Sequence, residues 1–125
     1  DQIEAWMKDQ SNRRYRRKIL EVMEYIDANL NRKLTLKEIA DSIGMNESSL
    51  SRLFKNETGV NLNYYINEKK MKKAMELLRG ESSMIKDVAA AVGMDDQLYF
   101  NKVFKKYYNV SPSEFKKKLH PDTEE

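Results

Sequence analysis

Apolar residues recur at steps of three and four along almost the whole chain, the spacing of one buried face on an α-helix. Tyr15, Ile19, Val22, Met23, Ile26 and Leu30 mark such a face and predict a helix from about Arg14 to Leu30. Thr35-x-x-Glu38 has the form of a capping box, hydroxyl and carboxylate each satisfying a backbone amide, and opens a short helix burying Leu36, Ile39, Ala40 and Ile43. Gly44 then supplies the left-handed turn that stops it. Asn46 is placed to cap a helix turning Leu50, Leu53 and Phe54 inward, which ends at Gly59. Leu62 to Arg79 forms a longer helix carrying Tyr65, Ile66, Met71, Ala74, Leu77 and Leu78, and Gly80 follows it. The next helix, Ile85 to Val92, has Met84 where a polar cap is usual, so Ser83 is the capping candidate. After Gly93, Asp95 is read as the cap of a helix with Phe100, Val103 and Phe104 inward, closing near Asn109. Ser111-Pro112-Ser113-Glu114 combines a capping box with proline at the first helical position and starts a last helix, left behind by Pro121. No alternating strand pattern competes, so the expected fold is all-α with about seven helices.

Composition narrows what such a fold is for. The 125 residues fit one ordinary domain or two very small ones. A mean hydropathy of -0.81 is polar, but eleven tyrosines and phenylalanines besides Trp6 supply core material, so the chain is not a disordered tail. The densest apolar stretch, Val88 to Val92, falls far short of a membrane span, and nothing resembles a signal peptide. There is no cysteine, and the one histidine, His120, stands near the carboxy terminus, which leaves no thiol or histidine-based metal or catalytic cluster. The net charge of +3 hides a gradient. Residues 1–12 carry -2 and residues 121–125 carry -3, so residues 13–120 hold 22 basic against 14 acidic side chains, or +8. A basic body with acidic ends points to a polyanionic partner.

An internal repeat makes that partner more definite. At an offset of 49, Ile39-Ala40 pairs with Val88-Ala89 and Gly44-Met45 with Gly93-Met94. After one inserted residue the offset becomes 50, pairing Leu50 with Phe100, Arg52 with Lys102, Leu53 with Val103, Phe54 with Phe104, Val60 with Val110 and Tyr65 with Phe115. Each unit is a short helix, a glycine turn and a second helix, with alanine where the two must approach closely. That is the pattern of a helix-turn-helix, whose second helix enters the DNA major groove. One such match is weak evidence; two in tandem on a basic chain are strong.

The residues carrying the pattern are Leu36-Lys37-Glu38-Ile39-Ala40 through Gly44, and Leu50-Ser51-Arg52-Leu53-Phe54-Lys55 through Gly59. They return as Val88-Ala89 through Gly93, then Tyr99-Phe100-Asn101-Lys102-Val103-Phe104-Lys105-Lys106 with Val110-Ser111-Pro112 and Phe115. Across roughly residues 18–118 the chain resembles the DNA-binding domain of the AraC/XylS family of bacterial transcription regulators. The resemblance implies helix-turn-helix units at about 35–58 and 84–108, joined by a linking helix at about 62–79, with both recognition helices in successive major grooves. It also implies an activator that presents a surface to RNA polymerase, located in the cytoplasm, with no cofactor and no membrane contact by this segment. A linking helix of roughly 27 Å against a groove repeat of about 34 Å leads us to expect rigid spacing and some DNA bending.

Within that frame, Ser48, Ser51, Arg52 and Lys55 share one face of the first recognition helix, opposite Leu50, Leu53 and Phe54. Arg52 is the best base reader, because its planar fork matches the O6 and N7 acceptors of guanine; Ser48 and Ser51 are shorter, less selective base contacts. Lys55 and Ser49 suit phosphate. On the second helix Gln97, Leu98, Asn101, Lys102 and Lys105 take the corresponding face. Gln97 is a base contact, Asn101 can pair with adenine through both amide atoms, and Lys102 meets guanine or phosphate. The family frequently has Arg where Lys102 stands, and lysine lacks the bidentate fork, so this half reads bases or only grips phosphate. Lys105 and Lys106 are phosphate contacts, as are Lys37 and Lys86 in the first turns of the supporting helices. Lys69, Lys70, Lys72, Lys73 and Lys116 to Lys118 read as well as plain solvated faces; the family often has Arg at the positions of Lys70 and Lys116. Tyr64, Tyr65, Tyr107 and Tyr108 follow helical spacing and are read as core or rim packing.

The first 17 residues say least. Ile3, Trp6 and Met7 form a short apolar patch that the polar stretch from Gln10 to Arg14 does not continue. Residues 1–17 are expected to be a linker or the remnant of a preceding region, and residues 119–125 an acidic tail. With Asp1 rather than Met at its start, the chain is expected to be the carboxy-terminal part of a larger regulator whose sensory, receiver or dimerisation domain is missing; a stand-alone regulator is the alternative. An enzyme is not expected, because neighbouring carboxylates such as Asp95 and Asp96 stand where helix capping explains them. A helical protein-interaction module explains the amphipathic faces but not the basic positions repeated in register.

Overall fold

The computed structural model describes residues 1–80 and 83–119, the side chain of Ser11 excepted. His120, Pro121 and the rest of the acidic tail after Leu119 lie outside the described residues, as do Glu81 and Ser82. Seven α-helices and no strand are present among the described residues: α1 (Gln2–Ala28), α2 (Leu36–Ser42), α3 (Glu47–Thr58), α4 (Leu62–Leu78), α5 (Ile85–Ala91), α6 (Gln97–Tyr108) and α7 (Pro112–Leu119). Among the described residues two units form, one from residues 1–29 and 34–65, the other from residues 30–33 and 66–119.

In the first unit α1, α2 and α3 pack on one another. Val22, Ile26, Ile39, Leu50 and Phe54 are fully buried there, and Ala40 is nearly so, which allows the close helix approach its size suggested. The Thr35–Glu38 capping box forms in both directions, and Tyr25 Oη also donates to Glu38 Oε2 at 3.0 Å, tying the start of α2 to α1. Tyr65 sets its ring edge-on to Phe54 at 5.2 Å, so it is packing, as its spacing indicated. The helix α1 begins twelve residues earlier than its core pattern predicts. Ile3, Trp6, Met7 and Tyr15 are exposed, so core burial says nothing about these turns. Local bonds hold them instead: Asp1 accepts from the Glu4 amide, and Arg13 pairs with Asp9 at 3.2 Å one turn away.

In the second unit Met71, Ala74, Leu78, Val88, Ala89, Val92, Phe100 and Phe104 lie in one buried cluster, with the rings of Tyr108 and Phe115 packed at a tilt against Phe104. Two caps differ from the expected ones. Asp96, not Asp95, caps α6, and Met84 stands at the cap position of α5 with no side-chain cap bond, Ser83 not taking that role. The Ser111 amide donates to Glu114 Oε1 and holds that carboxyl below the usual carboxylate range at the start of α7. Gly93 has φ +74°, and a Cβ there would come within 2.6 to 2.8 Å of the Arg32 backbone, so only glycine lets this turn press against residues 30–33.

The largest departure from the sequence reading concerns Lys70. It is 4% exposed, and its ammonium donates to the carbonyls of Leu30 (2.9 Å), Arg32 (2.7 Å) and Val92 (2.8 Å). All three N–H donors are therefore used, which is the condition for burying a charge at tolerable cost. Burial, with Lys73 and Arg32 adding repulsion, lowers its pKa to about 8. Lys116 likewise donates to the Ser83 carbonyl rather than facing solvent.

Candidate nucleic-acid interface

The turn before α3 is shaped by Gly44 at φ +67°, and Asn46 then accepts from the Ser49 amide at 2.9 Å. With Leu50 and Phe54 fully buried, the opposite side of α3 must face outward. Ser48, Ser49, Arg52 and Lys55 are exposed there, and Ser51 is half-buried. No carboxylate among the described residues pairs with Arg52, so its five N–H donors are available in a fixed fork.

The same construction recurs on α6. Asp96 Oδ1 accepts from the amides of Leu98 (3.0 Å) and Tyr99 (3.3 Å), and Asn109 closes the helix in the left-handed conformation at φ 63°. Phe100, Val103 and Phe104 are buried, leaving Gln97, Leu98, Lys102, Lys105 and Lys106 exposed. Asp95 and Asp96 make the amino end of α6 acidic, whereas its last turn carries Lys105 and Lys106. Phosphate is therefore favoured toward the carboxy-terminal half of the helix and disfavoured at its start. Lys37 and Lys86 are exposed in the first turns of α2 and α5.

Asn101 stands apart from the other predicted contacts. It is half-buried, and its Oδ1 is enclosed with no hydrogen-bond partner among the described residues. Pairing with adenine needs both amide atoms at the surface. Pairing there needs the side chain to turn its amide outward, and an acceptor enclosed without a partner has little to hold it where it is. Lys70 was missed in the other direction. It continues the buried stripe of α4, four residues after Ile66 and four before Ala74, and that register was the signal that it does not face solvent.

Each unit, taken by itself, offers hydrogen-bond donors and positive charge on the outward face of its second helix. No group of acidic or histidine side chains among the described residues is arranged to hold a metal ion, and no described helix is long and apolar enough to cross a membrane.

Comparison with known proteins matches residues 39–118 to a family described as a helix-turn-helix domain. The chain is 32% identical over 98 residues to the lactose operon transcription activator of Staphylococcus xylosus, covering 78% of this chain and 35% of that protein. It is similar to the C-terminal domain of AraT, a response regulator from Geobacillus stearothermophilus, with TM-score 0.79, 30% identity, and 86% and 91% of the two chains covered. A Chromobacterium violaceum transcriptional regulator described as having an AraC-type DNA-binding domain gives TM-score 0.76 at 25% identity, covering 86% of this chain and 96% of that one. The chain spans 35 to 40% of the length of the curated relatives it matches first.

Proposed function

Because the chain belongs to the AraC/XylS family of helix-turn-helix transcription regulators, we propose that it binds double-stranded DNA in a sequence-specific way as the carboxy-terminal part of a longer regulator. In this reading α3 and α6 enter successive major grooves. Arg52 reads guanine, Ser48 and Ser51 make shorter contacts, and Gln97, Asn101 and Lys102 face bases in the second groove. Lys37, Ser49, Lys55, Lys86, Lys105 and Lys106 hold phosphates and set the register. Residues 18–118 are the DNA-binding part, and the rest of the parent protein supplies sensing or dimerisation. Bound beside a promoter, the regulator activates transcription by presenting a surface to RNA polymerase, and it works in the bacterial cytoplasm, where its DNA is.

One observation carries this reading: the exposed positions of α3 and α6 match in register, with Arg52 and Lys102 each standing opposite a buried phenylalanine pair or leucine–phenylalanine pair. A solvated helix has no need to repeat its outward charges at an offset of 50. Selection from a random duplex library at near-physiological salt tests it, with Arg52→Ala and Lys102→Ala in parallel. We expect a two-part motif with centres about one helical turn apart, each part relaxed by its own substitution. A motif confined to the Arg52 half reduces α6 to a phosphate grip, and no enrichment in any arm rejects sequence-specific binding by this segment.

A further inference from the structure

Leu98 is 80% exposed, more than any other large apolar residue of the chain whose side chain is described. At about 100° per residue, it lies in the middle of the arc that also holds Asn101, Lys102 and Lys105, and opposite Phe100, Val103 and Phe104. The equivalent position of α3 is Ser48, a polar residue, so the two units differ chemically at the centre of their outward faces. The backbone beneath Leu98 is fixed, since its own amide and that of Tyr99 are both held by Asp96 Oδ1. An isobutyl group is thus presented from a rigid first turn, with lysines four and seven residues further along the same face.

Two of its neighbours are weak selectors as they stand. Lys102 is a point charge without a bidentate fork, and the Oδ1 of Asn101 is enclosed, so adenine pairing there needs the side chain to turn outward. Gln97, exposed one residue earlier, is a polar base contact of this helix, and Leu98 adds an apolar one beside it. The major groove offers one apolar group that distinguishes bases, the 5-methyl of thymine. The flanking lysines favour a polyanion over an apolar protein surface as the occupant.

We infer that Leu98 is a specificity-determining residue that packs against the 5-methyl group of a thymine in the half-site met by α6. The operator is then chemically asymmetric, guanine-reading through Arg52 in one half and thymine-reading through Leu98 in the other. This inference rests on the DNA reading above.

The test uses the 125-residue chain and the duplex it selects, with single thymines replaced by deoxyuracil, which removes only the methyl. For the wild-type chain one replacement in the α6 half-site should weaken binding roughly four-fold, the loss of one buried methyl. Leu98→Ala should bind the thymine and uracil duplexes equally and melt as the wild type does, because the side chain is exposed. Leu98→Val should retain part of the discrimination. A uracil penalty that survives in Leu98→Ala, or no penalty at any thymine in a motif that Arg52→Ala relaxes, overturns this inference alone. Absence of any selected motif overturns the DNA reading and this inference with it.

Discussion

Lys70 is a charge placed where the fold has only backbone to offer it. Three carbonyls, from Leu30, Arg32 and Val92, surround an ammonium with three donors, so removing the amine strands all three acceptors. Lys70→Met should destabilise the second unit by about 2 to 4 kcal/mol, the cost of unsatisfied buried polar groups, measurable by denaturant unfolding. The sign of the pH dependence follows from its pKa, lowered to about 8 from 10.5. Between those values the unfolded chain holds a proton that the folded chain has released, so this group makes the fold more stable as pH rises through that window. Below about 8 both states are protonated and the term is constant. The difference in unfolding free energy between wild type and Lys70→Met should therefore grow from pH 8 to pH 10.5. A flat or falling difference would show the carbonyls holding the charge against burial. In the sequence this lysine sits among Lys69, Lys72 and Lys73 and looks like part of a solvated run. Only the helical register, four residues from Ile66 and from Ala74, separates it from them.

Among the elements, α2 and α5 are the same helix built twice with unequal starts. Thr35 and Glu38 close a capping box on α2, whereas the equivalent Met84 caps nothing on α5 and is 59% exposed. Met84 already has the extended backbone of a cap, φ -89° and ψ 142°. Met84→Thr should therefore raise stability by about 0.5 to 1 kcal/mol, seen as a higher unfolding midpoint by far-ultraviolet circular dichroism. An unchanged or lower midpoint would mean that the methionine side chain contributes packing that a hydroxyl cannot replace. The helices themselves were legible because apolar spacing, glycine stops and capping boxes agreed at most boundaries. The failures were local. Adjacent Asp95 and Asp96 both fit a cap, and only backbone geometry selects Asp96. The early turns of α1 bury nothing, so periodicity has no purchase on them, and their Asp1 cap and Asp9–Arg13 pair are too common in sequences to be diagnostic.

For the whole molecule, the relevant quantity is the +8 carried by residues 13–120 between two acidic ends. In the proposed complex most of that charge would not select a sequence; it would neutralise phosphate and release counterions. The five lysines assigned to phosphate, Lys37, Lys55, Lys86, Lys105 and Lys106, are all exposed. If each neutralises one phosphate, the logarithm of the binding constant should fall with the logarithm of salt concentration at a slope of about -4 to -5. Replacing any one by alanine should flatten the slope by about 0.9 and weaken binding to selected and random duplexes alike. Ser49→Ala should weaken binding without changing the slope, because a neutral hydroxyl displaces no counterion. Lys72→Ala, an exposed charge on α4 without an assigned contact, should change neither. Arg52→Ala should cost far more on the selected duplex than on a random one. A titration series across salt concentrations thus separates the residues that grip from those that read. Equal slopes for all five lysine variants and the wild type would place the phosphate contacts elsewhere on this basic surface.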